Sequence, residues 1–141
     1  MGAPPQGGVD TFYIDASVPK AVRVAIASVR DDVLYAGGPD APTEDTDDDV
    51  WLPLAGAADW IVIHRDKKIK KRPHERQALL ASGVRTFCMT GAGNLTRWQT
   101  LVLLAQRWEE IAQTASNYAG PYIYSVTRAG VRRMYIPGQH A

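Results

Sequence analysis

Trp60-Ile61-Val62-Ile63-His64-Arg65-Asp66-Lys67-Lys68 decides the fold of this chain. Its apolar, mostly β-branched run reads as a strand buried on both faces, which is the signature of a parallel sheet covered by helices on either side. The run stops at an acid, and bases follow at Lys67, Lys68, Lys70, Lys71 and Arg72. Upstream, Thr11-Phe12-Tyr13-Ile14 ends in Asp15; downstream, Val84 to Met89 ends in Thr90 and a glycine turn. Three strands therefore deliver polar groups to one edge. In an open α/β sheet the carboxyl edge of the strands is where ligands bind.

Working outward, the remaining segments alternate helix with strand. Ser17-Val18-Pro19 supplies a capping side chain and a first-turn proline, and Val22, Ala25, Ile26 and Val29 recur at helical spacing up to about Arg30 to Asp32. Val33 to Ala36 is a short second strand. Gly37-Gly38-Pro39 opens a polar loop through Asp49, longer than a simple connector needs to be. Asp47 to Asp49 precede a short helix at Trp51 to Ala58, where acids suit the positive end of the helix dipole. Pro73 starts a helix to about Ala81 that Gly83 terminates. Thr96-Arg97-Trp98-Gln99 fits a capping box at the head of the longest helix, whose apolar stripe is read as Leu95, Trp98, Leu101, Val102, Ala105, Trp108, Ile111, Ala112 and Ala115. Pro121 to Val126 and Val131 to Ile136 flank Arg128-Ala129-Gly130 as a hairpin at the sheet margin.

One domain accounts for the chain, because 141 residues with 45% hydrophobic content bury one ordinary core. Residues 1–10 are expected to be a leader, 11–136 the domain and 137–141 a tail. The Gly/Pro-rich leader lacks the apolar centre of a signal peptide, no apolar run reaches the roughly 18 residues of a membrane span, and the single Cys88 in an apolar strand excludes an internal disulfide. These features point to a cytoplasmic protein with no membrane association. Formal net charge is only +1, yet Asp40 to Asp49 carries six acids and no base, while Lys67 to Arg76 carries six bases and one acid. Such a split gives an acidic pocket with a basic rim, or two solvated loops.

Clustered carboxylates need a compensating cation, and oxygen ligands that leave room for water and phosphate suit Mg²⁺ or Mn²⁺. Asp15 and Asp66 are the first choices, with Asp48 from the acidic loop as the third and Asp45, Asp47 and Asp49 as its rivals. Each acid could instead cap the helix that follows it. The run Lys67, Lys68, Lys70, Lys71 and Arg72 is placed to neutralise phosphates, or is a solvated turn. Thr90-Gly91-Ala92-Gly93-Asn94 ahead of a helix offers backbone amides to an anion, although glycines there serve a turn equally well.

Phe12-Tyr13-Ile14-Asp15, the acids ahead of Trp51-Leu52-Pro53-Leu54-Ala55, the block from Trp60 to Arg76, and Gly93-Asn94-Leu95-Thr96 together resemble the PIN-like domains related to VapC-type toxins. The resemblance spans about Thr11 to Met134 and is most specific around Asp66. It implies a three-layer α/β/α, Rossmann-like PIN fold with a mostly parallel central sheet and a C-terminal edge hairpin. It also implies a Mg²⁺- or Mn²⁺-dependent endoribonuclease, the toxin of a bacterial toxin–antitoxin pair. Asp15, Asp48 and Asp66 would hold the metal, Lys67 would steady developing charge, and Lys67, Lys68, Lys70, Lys71, Arg72 and Asn94 would contact RNA. A cognate antitoxin and a homodimer are the partners so implied. The fourth acid of the family pattern is absent, with Thr90 and Asn94 standing at the end of the fourth strand. Two alternatives stay open: a silent binding module on the same fold, and a receiver-like phosphoacceptor domain, which lacks its lysine after a fifth strand.

Overall fold

The computed structural model describes residues 10–65, 73–90 and 95–135. Among the described residues ten elements follow in order: β1 (Phe12–Ile14), α1 (Lys20–Val29), β2 (Val33–Tyr35), α2 (Asp48–Ala57), β3 (Ile61–Arg65), α3 (Pro73–Ala81), β4 (Arg85–Met89), α4 (Arg97–Asn117), β5 (Tyr122–Thr127) and β6 (Gly130–Tyr135). The six strands form one sheet in the order β2-β1-β3-β4-β5-β6. Pairings are parallel from β2 through β5, and β6 returns antiparallel to β5. The expected three-layer α/β/α arrangement with an edge hairpin is therefore present.

Strand alternation sorts the core into two halves. Phe12, Ile14, Ile61, Ile63, Phe87, Met89, Tyr122 and Val126 face α1 and α4, where Trp108 lies 4.8 Å from the Phe12 ring. Tyr13, Val62, Cys88 and Ile123 face α2 and α3, and Tyr13 meets the rings of Trp51 and Trp60 at 5.1 Å each. Because both faces are covered, the central strands can be apolar throughout, and β3 and β4 are buried along almost their whole length. Cys88 is buried among them as expected. Between α2 and α3 the backbones nearly touch: a Cβ placed on Gly56 would sit 2.0 Å from the Ser82 carbonyl oxygen, so only glycine fits there.

Two local readings need correction. Ser17 does not cap α1, which starts after Pro19 with no side-chain cap; its hydroxyl is used across the sheet edge instead. The stripe assigned to α4 holds in part: Trp108, Ile111 and Ala115 are buried, and Leu95, Leu101 and Ala112 pack against the core. Thr100, Leu103, Leu104, Trp108, Ile111 and Ala115 are the buried positions, whereas Trp98 is 71% exposed. The capping box does form: the Thr96 hydroxyl accepts from the Gln99 amide at 3.0 Å, and the Gln99 side chain accepts from the Thr96 amide at 3.0 Å.

Candidate functional site at the carboxyl edge of β1 and β3

The strand order makes a crevice between β1 and β3. From β1 the chain moves outward to β2, and from β3 it moves the other way to β4, so the connections leave the shared edge in opposite directions. This is the switch point at which open α/β sheets receive ligands. Asp15 is the first residue past β1, and Arg65 is the last of β3.

Their strand ends are stitched together by specific bonds. The Asp15 amide donates to the Ile63 carbonyl at 2.9 Å. Ser17 then bridges the crevice: its hydroxyl donates to Asp15 Oδ2 at 2.8 Å and accepts from the Arg65 amide at 3.0 Å. The carboxylate of Asp15 is thus oriented by a side chain that is itself fixed to β3, so the acid's geometry follows the sheet rather than a free loop.

Asp48 arrives from the other side. It is the first residue of α2, and its Oδ1 accepts from the buried Trp51 indole at 2.9 Å. Trp51 packs against Tyr13, the residue preceding Ile14 and Asp15 on β1. The Tyr13 phenol reports both acids: burial raises its pKa most, Asp15 raises it further, Arg23 opposes this, and Asp48 adds to the rise. One phenol therefore lies within the electrostatic reach of Asp15, Asp48 and the Arg23 guanidinium.

Among its rivals, Asp45 accepts from the Thr43 hydroxyl at 2.7 Å within its own exposed turn, and this bond lowers its pKa. Asp47 occupies the N-cap position of α2 without a side-chain cap bond, and Asp49 sits in the exposed first turn. Asp66, Lys67, Lys68, Lys70, Lys71, Arg72 and Asn94 lie outside the described residues. Thr90 follows β4 at the same edge. Among the described residues no three His, Cys, Asp or Glu side chains form a group suited to a metal ion.

Sequence reasoning missed Arg23 and Glu44. Arg23 is only 2% exposed although it lies on a helix, and its guanidinium donates to the Ala16 carbonyl at 3.1 Å, the Val18 carbonyl at 2.8 Å and the Glu44 carboxylate. It fastens the β1-α1 turn that carries Asp15 to the acidic loop that leads to Asp48. A buried charge needs such partners, because an unpaired one is expensive. The available sequence signal was a lone arginine in the apolar run Ala21 to Ile26.

A model of the PIN-like domain matches residues 11–91, more than half of the 141-residue chain. Over 134 residues the chain is 27% identical to a Mycobacterium tuberculosis (strain ATCC 25618 / H37Rv) protein named "Putative ribonuclease VapC45", a match covering 89% of this chain and 92% of that relative. No solved structure matches. Sheet order, acids at the switch point and the match across both β1 and β3 agree that the chain belongs to the PIN-like domain family.

Proposed function

We propose that this chain is a metal-dependent endoribonuclease that hydrolyses RNA phosphodiester bonds, and that it acts as the toxin of a bacterial toxin–antitoxin pair in the cytoplasm. The observation that carries the reading is geometric: Asp15 is held at the end of β1 by Ser17 and β3, and Asp48 is bonded to Trp51, whose ring packs on Tyr13 of β1. The likeness to a protein named as a VapC ribonuclease supports the same chemistry.

The donor set fits a hard cation. Carboxylate oxygens without thiol or imidazole suit Mg²⁺ or Mn²⁺, and Asp15, Asp48 and Asp66 are the residues that would hold it. A bound divalent ion lowers the pKa of a water and polarises a phosphodiester. The chain's own residues do the rest. Ser17 keeps the Asp15 carboxylate facing the crevice through its bond to β3. Arg23 ties the turn after β1 to the acidic loop through the Ala16 and Val18 carbonyls and the Glu44 carboxylate. Lys67 and Lys68 steady the charge that develops on the phosphate, and Lys70, Lys71, Arg72 and Asn94 carry the flanking strand. An antitoxin would neutralise the chain by covering this edge, and a homodimer is the other assembly proposed.

A second reading follows from the end of β4, where Thr90 stands in place of a fourth acid. A silent RNA-binding module would keep the fold and lose turnover. Single-stranded RNA incubated with the purified chain and Mg²⁺ or Mn²⁺ separates the two. Cleavage that EDTA stops and that Asp15→Asn abolishes at equal soluble protein is the expected result. Retained RNA binding with no cleavage under any divalent ion establishes the silent module, and cleavage unaffected by Asp15→Asn removes that residue from the site.

A further inference from the structure

At the opposite edge of the sheet, a cavity of about 460 Å³ opens between the end of α4 and the start of β5, lined by Asn117, Tyr118, Pro121, Tyr122, Tyr124 and Arg133. None of these residues belongs to the carboxyl-edge site. The Tyr118 and Tyr124 rings are nearly parallel, inclined by 26° with centroids 6.5 Å apart, and Tyr118 is 56% exposed. Tyr122 packs edge-on against Tyr124 at 4.8 Å and is 2% exposed, yet its hydroxyl is buried with no hydrogen-bond partner among the described residues. Arg133 stands at the exposed rim, close enough to act on the Tyr124 phenol.

The paired rings and the rim arginine ask for a flat ring with an anion attached. An open aromatic face attracts a planar π-system, and a rim guanidinium pairs with phosphate. We propose that this cavity is a nucleotide site, in which a nucleobase stacks on Tyr118 and Tyr124 and its phosphate meets Arg133. The nucleotide is a free mononucleotide or one unit of a single-stranded RNA. The site is separate from the proposed cleavage centre and needs no metal.

The test is ring-resolved NMR of the full chain, with labelled tyrosine and EDTA present, titrated with AMP and separately with a short oligoadenylate. Upfield shifts of the Tyr118 and Tyr124 ring signals are expected. Tyr118→Leu should weaken binding roughly 5- to 100-fold, the range for loss of one stacked base. Arg133→Ala should remove the preference for AMP over adenosine. Tighter binding of the oligoadenylate assigns the site to an RNA strand, and tighter binding of AMP assigns it to a free nucleotide. The proposal is overturned if neither ligand moves the rings, if ribose 5-phosphate competes as well as AMP, or if a proline-rich peptide moves these rings where AMP does not. Because cleavage is not read, failure of the nuclease assignment and failure of this site remain distinguishable.

Discussion

Arg23 shows what a single side chain can do for two loops. Its three acceptors belong to the turn after β1 and to the acidic loop, so a shorter or uncharged replacement leaves buried carbonyls and Glu44 without their donor. Because Glu44 is half exposed and can return to water, the cost is mainly that of leaving the carbonyls unsatisfied, about 1 to 3 kcal/mol. Arg23→Met is therefore expected to lower unfolding free energy by about that amount in urea titrations, and Arg23→Lys by less. A change within about 0.5 kcal/mol for Arg23→Met, the scale of an ordinary surface substitution, would show that the clamp is energetically idle. Tyr13 gives a pH prediction. Its folded-state pKa lies above the ordinary 10.0, first because it is buried and then because Asp15 is near. Below the ordinary value both folded and unfolded chains keep the proton, and above it the unfolded chain releases a proton that the folded one retains. Stability should thus be level up to about pH 10 and fall as pH rises further, and Tyr13→Phe should flatten that fall. Equal alkaline slopes in the two proteins would contradict the assignment. At this scale the sequence displayed Asp15 plainly, since an acid after an apolar strand is a local pattern, and offered Asp48 as one of four acids ahead of a helix. Ser17 and Arg23 were illegible because their partners, Arg65 and Glu44, lie 48 and 21 residues away.

Helix α4 divides neatly into what local chemistry determines and what it does not. Its start is set by Thr96 and Gln99, which satisfy each other's backbone amides within one turn, and Thr96→Ala is expected to cost about 1 kcal/mol as a lowered thermal or urea midpoint. No change would mean that tertiary packing alone fixes this end. The first half of its buried face was misread because Leu101-Val102-Leu103-Leu104 is apolar at every phase of the helix, so periodicity cannot select a stripe there. The sheet and α1 select it, and Trp98 is turned outward into a shallow groove with Ala25, Val29 and Leu101. The strands were easier. Two-sided burial makes β3 and β4 uniformly apolar, and that uniformity is visible without a partner strand.

For the whole molecule, alternation of strand and helix sufficed to predict layers and a carboxyl-edge site, but the order of strands came only with the structure. That order matters, because it is the reversal between β1 and β3 that puts Asp15 beside the end of β3. Expression without a partner supplies the test at this scale. The wild-type chain should arrest bacterial growth, and Asp15→Ala should relieve the arrest at equal soluble level. Equal toxicity of the two would place the harm outside the acids, and harmlessness of both, with no RNA cleavage, would favour the silent module.

The two margins of the sheet have a bearing on assembly. On one side β2 offers only three residues, and on the other β6 presents Arg132 and Arg133 exposed along its length. Short and positively charged margins resist the addition of a strand from a neighbouring molecule. A growing ribbon of sheet is thereby discouraged at both ends, which protects a chain with an apolar centre from aggregating by its backbone. Helix surfaces and loops are then the favoured docking faces for a copy or an inhibitor, where side chains rather than amides set the specificity.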